Sequence, residues 1–146
     1  MSQQEDERYM RLALEEAQLA YESGEIPIGA VVVCDGRVIA RAHNEVERLN
    51  DPTAHAEVLA VTAATQYMGS KFLGDCRLYV TIEPCTMCAG ALHWARLGEV
   101  IYGASEEKFG YQRYAPEIFP RATKVRGGVL AEEARALMQS FFRARR

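Results

Sequence analysis

No apolar run in this sequence approaches the roughly 18 residues that a membrane-spanning helix requires. The opening segment, Met1 to Tyr9, is acidic and polar rather than a basic stretch leading into an apolar one. Both absences predict a protein that neither crosses a membrane nor carries a secretory leader, and so one placed in the cytoplasm. Internal repeats, linkers and low-complexity segments are also missing, which excludes solenoids, disordered tails and strings of small domains. With 146 residues, 49% hydrophobic and 25% charged, the chain matches one compact domain able to bury a core. Cysteine is sparse, at four residues. Without a leader, their spacing reads as metal ligation or core usage rather than as a disulfide framework.

A large excess of one charge is lacking too, with 17 basic and 20 acidic residues. The net value of −3 argues weakly against a nucleic-acid partner. The distribution argues the other way: residues 1–107 hold 8 basic and 17 acidic side chains, net −9, whereas residues 108–146 hold 9 basic and 3 acidic ones, net +6. The asymmetry points to an anionic partner gripped by Lys108, Arg113, Arg121, Lys124, Arg126, Arg143, Arg145 and Arg146. The alternative is a solvated face with cations complementing a helix C-terminus.

Periodicity gives the organisation. Apolar residues from Glu5 to Ser23 recur at helical spacing, with Gly24 after the last turn. The runs Gly29–Cys34 and Arg37–Ala42, joined by Asp35-Gly36, read as a hairpin. Asp51-Pro52 predicts a helix start, with the helix running to Gly69. A strand Leu78–Ile82, a helix Cys85–Leu97 and a strand Val100–Gly103 form a strand-helix-strand unit, hence a parallel pair. Residues 105–121 are irregular, since Pro116 and Pro120 limit any helix there. A strand near Val125–Val129 precedes a last helix with the stripe Leu130, Ala134, Leu137, Met138 and Phe141. This order predicts an α/β class, a mixed sheet with helices on both faces.

The chemistry-bearing residues are His55-Ala56-Glu57 and Pro84-Cys85-Thr86-Met87-Cys88, each beginning a helix. One imidazole and two thiolates make three protein donors, and three donors with a fourth position for water is the pattern of a catalytic zinc. Cys85 and Cys88, three apart, share a helix face, and a helix N-terminus favours thiolates. Glu57 is the candidate proton carrier beside the open position. Residues two apart in a regular helix point about 200° apart. His55 and Glu57 can therefore face one metal only if the regular helix begins nearer His55 than Pro52. The competing possibility is a structural zinc closed by His43, His93 or Cys34, which would leave Glu57 without a purpose. Cys34 and Cys76 read as small core residues.

At these motifs the sequence resembles the cytidine deaminase superfamily, and more closely the bacterial tRNA adenosine deaminases that form inosine at the wobble position. The resemblance runs through Glu25–Val31, Asn50–Glu57, Leu78–Ala91 and the end from Gly128 to Arg146. It implies a three-layer α/β/α cytidine-deaminase-like fold with a five-stranded mixed sheet, residues 1–146 forming a single zinc-binding domain. It implies a hydrolase with one zinc per subunit on His55, Cys85 and Cys88 and with Glu57 shuttling protons. Asn44 is implied to contact the purine, with Ile28 and the backbone of Ala56 lining the pocket. On its own, Asn44 reads as an ordinary turn residue. The implied partners are the tRNA anticodon loop and a second subunit in a homodimer, with Lys108, Arg113, Arg143, Arg145 and Arg146 as RNA contacts and no membrane.

Where the family's loop is commonly rich in glycine and alanine, this chain has Lys108-Phe109-Gly110-Tyr111-Gln112-Arg113-Tyr114, and Glu106 stands in place of the usual aspartate. The aromatic and basic residues there are suited either to splayed bases or to packing on the sheet. His93-Trp94-Ala95-Arg96 reads as packing within its helix. A related run occurs in guanine deaminases, so a free-base deaminase is the alternative function, which the arginine-rich terminal helix disfavours.

Overall fold

The structure, a computed structural model, describes residues 2–145. Helix α1 (Gln3–Glu22) begins earlier than the periodicity predicts, because the Ser2 hydroxyl caps it by accepting the Glu5 N–H at 3.1 Å. Strands β1 (Gly29–Cys34) and β2 (Arg37–His43) form the expected antiparallel hairpin. Helix α3 (Ala56–Met68), strand β3 (Cys76–Ile82), helix α4 (Thr86–Ala95) and strand β4 (Glu99–Ala104) follow, and helix α6 (Ala131–Arg143) closes the order.

Three elements depart from expectation. Single-turn helices α2 (Val46–Leu49) and α5 (Tyr111–Tyr114) are too short to show a period. Strand β5 covers only Lys124–Arg126, because Gly127 and Gly128 follow it. Asp51-Pro52 does not open a helix. Asp51 Oδ1 accepts from both the N–H and the hydroxyl of Thr53 at 2.8 Å, so its side chain holds a turn instead.

The sheet order is β2-β1-β3-β4-β5. β1 pairs antiparallel with β2 and β3, while β3–β4 and β4–β5 are parallel, so the five-stranded sheet is mixed as predicted. Every residue of β1 is buried, so alternate side chains must serve two cores. Ala30 and Val32 pack with Ala56, Ala60 and Ala64 of α3 and Leu92 of α4; Val31 and Val33 pack with Tyr9, Met10 and Ala13 of α1. Small residues let the helices approach closely, and Gly29 is an extreme case. A Cβ there would collide with the Ala13 carbonyl and the Ala17 N–H, so α1 can cross β1 only over a glycine. Cys34 and Cys76 are buried in the α3/α4 core, opposite one another on β1 and β3. No helix among the described residues is long and apolar enough to cross a membrane.

Arg126 is not available to a partner. Its guanidinium pairs with Asp6 and with Glu99, tying β5 to α1, and so leaves the set of cations expected to grip an anion. Burial alone would raise the Asp6 carboxyl. Hydrogen bonds from Arg126 and Tyr79, with the charges of Arg126 and Arg77, outweigh it and hold Asp6 below its ordinary 3.8. A carboxyl depressed on folding contributes stability that is present above its unfolded value and is lost as pH falls through the folded one. Asp6→Asn is therefore expected to cost about 1–3 kcal/mol at pH 7, given the partial exposure of Arg126. Denaturant titrations should show that difference shrinking below pH 3.8.

Candidate active site

Two helix starts converge on one point. His55 precedes α3 with extended backbone, φ −80° and ψ 153°, and Cys85 precedes α4 with φ −71° and ψ 172°. This resolves the geometric tension in the sequence: His55 lies just outside the regular helix and Glu57 inside its first turn, so both can reach the same side. The cap position usually goes to a residue that accepts an N–H of its own helix, but His55 does not. Asn44, buried at the end of β2, supplies that acceptor from outside: its Oδ1 takes the Ala56 N–H at 2.8 Å. The imidazole is thereby left free to ligate.

His55 Nδ1 lies 3.7 Å from Cys85 Sγ and 3.5 Å from Cys88 Sγ, and all three donor atoms fall within 4.8 Å of one another. Tetrahedral zinc, with Zn–S near 2.3 Å and Zn–N near 2.0 Å, places sulfur and nitrogen about 3.5 Å apart. The donor set therefore fits zinc in both chemistry and spacing. The Cys85 thiol is held down at about 4, first by its hydrogen bond with Cys88 and then by His55, against the effect of burial. Cys88 is pushed up by the same hydrogen bond and by burial, and His55 is raised chiefly by its hydrogen bond to Cys85.

The candidates for a fourth ligand are engaged elsewhere. His43 Nδ1 is 2.9 Å from Glu16, His93 Nδ1 is 2.6 Å from the Ile118 carbonyl and Cys34 Sγ donates to the Asp75 carbonyl. Among the described residues, no other cluster of three such donors exists. Glu57 is 3% exposed, and burial pushes its carboxyl up to about 7. A buried carboxyl hydrogen-bonded to Cys88, beside three donors, suits an open catalytic site better than a closed structural one.

His55, Glu57 and Cys85 open onto a cavity of about 1100 Å³. Ile28 and Asn44 line it as expected; Ala56 is buried behind, its N–H taken by Asn44. Of the predicted RNA contacts, Lys108 and Arg145 line the cavity. Arg143 is exposed on α6, whereas Arg113 sits over the Tyr114 ring at 5.5 Å and away from the cavity. Arg146 lies outside the described residues. Trp94 does not pack within its helix as expected; it is 75% exposed. In the atypical loop, only Tyr111 packs inward, edge-on to Phe119 at 5.0 Å, while Phe109 and Tyr114 remain exposed.

Two buried glutamates escaped the sequence reading. Glu25 accepts the N–H groups of Glu47 and Arg48 at 3.0 and 2.8 Å, and Glu83 accepts those of Glu106 and Gln112 at 3.0 and 3.1 Å. Each pins one rim of the cavity through both carboxylate oxygens. The available signal was an acid between apolar neighbours, as in Ile82-Glu83-Pro84 and Gly24-Glu25-Ile26.

A family profile described as MafB19-like deaminase matches residues 4–146. A tRNA-specific adenosine deaminase from Streptococcus pyogenes serotype M18 is 44% identical over 97% of this chain and 92% of its own. One from Agrobacterium fabrum is 43% identical over 94% of both chains. This chain belongs to the tRNA-specific adenosine deaminase family. Within the solved structures, one from a study of A-to-I editing by tRNA:A34 deaminases aligns with a TM-score of 0.84 at 42% identity, covering 89% of this chain and 98% of the other. The match extends to the five-stranded mixed sheet, the cytidine-deaminase-like fold expected. A guanine deaminase from Bacillus subtilis is also 42% identical, but it aligns with a TM-score of 0.67 over 77% of this chain and 75% of its own. The guanine deaminase thus matches a smaller part of this chain, and at a lower TM-score, than the structure from the tRNA:A34 deaminase study.

Proposed function

We propose that this chain hydrolytically deaminates adenosine to inosine at the wobble position of tRNA anticodons, residues 1–146 forming one zinc-binding domain. His55, Cys85 and Cys88 hold the zinc, one per subunit, and Glu57 carries the protons. When bound, zinc acts as a Lewis acid that makes the attacking water acidic enough to deprotonate near neutral pH. Asn44 has its carbonyl oxygen committed to the Ala56 N–H, so its NH2 is the group offered to a purine ring nitrogen, with Ile28 against the ring. Glu57 takes a proton from the water that adds at the amino-bearing carbon and passes it to the adjacent ring nitrogen. The water's second proton, left on the added oxygen, then passes by way of Glu57 to the departing amine as the carbon–nitrogen bond breaks, so adenosine and water become inosine and ammonia. A carboxyl pushed up to about 7 is suited both to accept and to donate.

One observation carries the choice of substrate. The cavity that contains Glu57 is lined by Phe141 and Phe142 of α6, by Arg145 just beyond that helix and by Lys108, with Glu25, Glu47 and Glu106 also on its wall. A free base would fill a small part of this space and engage neither Lys108 nor Arg145. A flipped nucleotide in an anticodon loop brings flanking phosphates to both. The guanine reading retains support from the 42% identity of the Bacillus subtilis enzyme. We also place the protein in the cytoplasm and propose a homodimer, because Tyr67, Met68, Phe72 and Trp94 leave large apolar side chains exposed around the ends of α3 and α4.

The discriminating assay offers zinc-loaded protein an anticodon stem-loop with a wobble adenosine, and free guanine in parallel. Inosine in the RNA is expected; turnover of guanine alone overturns the reading. Arg143→Ala combined with Arg145→Ala should weaken RNA binding and lower the slope of log affinity against log salt by roughly one per lost phosphate contact.

A further inference from the structure

The loop after β4 is fastened to the metal-donor segment by main-chain links. Glu83 accepts the Glu106 and Gln112 N–H groups, the Pro84 carbonyl accepts the Tyr111 N–H at 2.9 Å, and Cys85 and Gly110 form an isolated antiparallel bridge. The Gly110 N–H closes the turn on the Glu106 carbonyl at 2.9 Å. A side chain at position 110 would strike both the Glu83 carboxylate and the Glu106 carbonyl, so glycine is required where the loop meets Cys85. Phe109, the residue before, is therefore held at a fixed offset from a zinc donor. Its ring nevertheless packs on little: it is 64% exposed and lines the cavity beside Lys108. A phenyl ring on a rigid mount at the mouth of an active-site cavity, next to a cation, has the two elements of a single-strand nucleic-acid site, a π-face and a phosphate partner.

We propose that Phe109 is a stacking platform for the unpaired base next to the reacting adenosine, with Lys108 facing that nucleotide's phosphate. The proposal rests on the RNA reading above and assigns a specificity role to Phe109. A free-base substrate would have nothing to place against this ring.

The test uses zinc-loaded protein and two anticodon stem-loops that keep the wobble adenosine and carry fluorescent 2-aminopurine on its 5′ or its 3′ side. Stacking quenches 2-aminopurine, so binding by the parent should quench one of the two probes. Phe109→Tyr should preserve the quench. Phe109→Leu and Phe109→Ala should lose it, and Phe109→Ala should raise KM for the stem-loop roughly 5- to 150-fold at unchanged kcat. An unchanged KM and quench in Phe109→Ala overturns the proposal. So does a loss confined to kcat, or a dimer that falls apart in that variant with the quench intact, which would make the ring a subunit contact. Failure of the underlying reading shows separately, as a parent protein that forms no inosine in either RNA.

Discussion

Glu57→Ala is expected to retain one zinc per chain while turnover falls about 10²- to 10⁴-fold, the usual contribution of a positioned proton carrier. The two effects separate because Glu57 is not among the three donor atoms that lie within 4.8 Å of one another. Its carboxyl sits in the first turn of α3, almost wholly buried, and reaches the space that those donors leave open. Glu57→Gln is the sharper variant, since it keeps size and hydrogen-bonding capacity and removes only the ability to exchange a proton. Metal analysis by mass spectrometry and single-turnover deamination of a stem-loop measure the two quantities independently. Turnover equal to the parent's would reassign the proton carrier. Loss of zinc would make Glu57 a ligand.

The site was legible in the sequence because metal chemistry restricts residue type and spacing severely. Few arrangements other than a metal site put a histidine at one helix start and two cysteines three apart at another. The layers were legible for a similar reason: β1 is apolar throughout with three consecutive valines, and α1 and α6 carry clear stripes. The misreadings have physical causes. Asp51-Pro52 carries a helix-start signature, yet Asp51 spends its carboxylate on Thr53 one turn too early, while the true start at Ala56 takes its acceptor from Asn44. That partner lies twelve positions away in sequence, beyond any local pattern. Arg126 counted as a free cation only because sequence does not reveal that Asp6, at the other end of the chain, folds against it. Trp94 lies on an apolar helix, and only the fold shows that its position faces outward.

The two rim-holding glutamates belong to the same class. Neither bears a catalytic signature, and each binds backbone N–H groups from a segment distant in sequence. What they hold is the α2 segment on one side of the cavity and the Lys108-Phe109 loop on the other. The His55, Cys85 and Cys88 cluster and the two pinned rims therefore face the same cavity from different sides.

Cys88→Ala is expected to abolish zinc retention and to lower activity by at least as much as Glu57→Ala, through a different route. Cys88 is wholly buried on α4, and alanine favours the helix, so the fold is expected to survive the change. What is lost is one of three donors, and the other histidines and Cys34 are engaged: His43 by Glu16, His93 by the Ile118 carbonyl and Cys34 by the Asp75 carbonyl. Two protein donors hold zinc far more weakly than three, because each donor contributes to a binding energy that folding has already organised. The parent's melting temperature should rise with added zinc, as it must for any ligand that binds only the folded state, and the variant's should not. Stoichiometric zinc in Cys88→Ala would show that the donor set extends beyond His55 and the two cysteines. A zinc-free variant that melts where the metal-free parent melts would instead locate the whole defect in ligation, leaving Glu57 correctly placed beside an ion that can no longer be held.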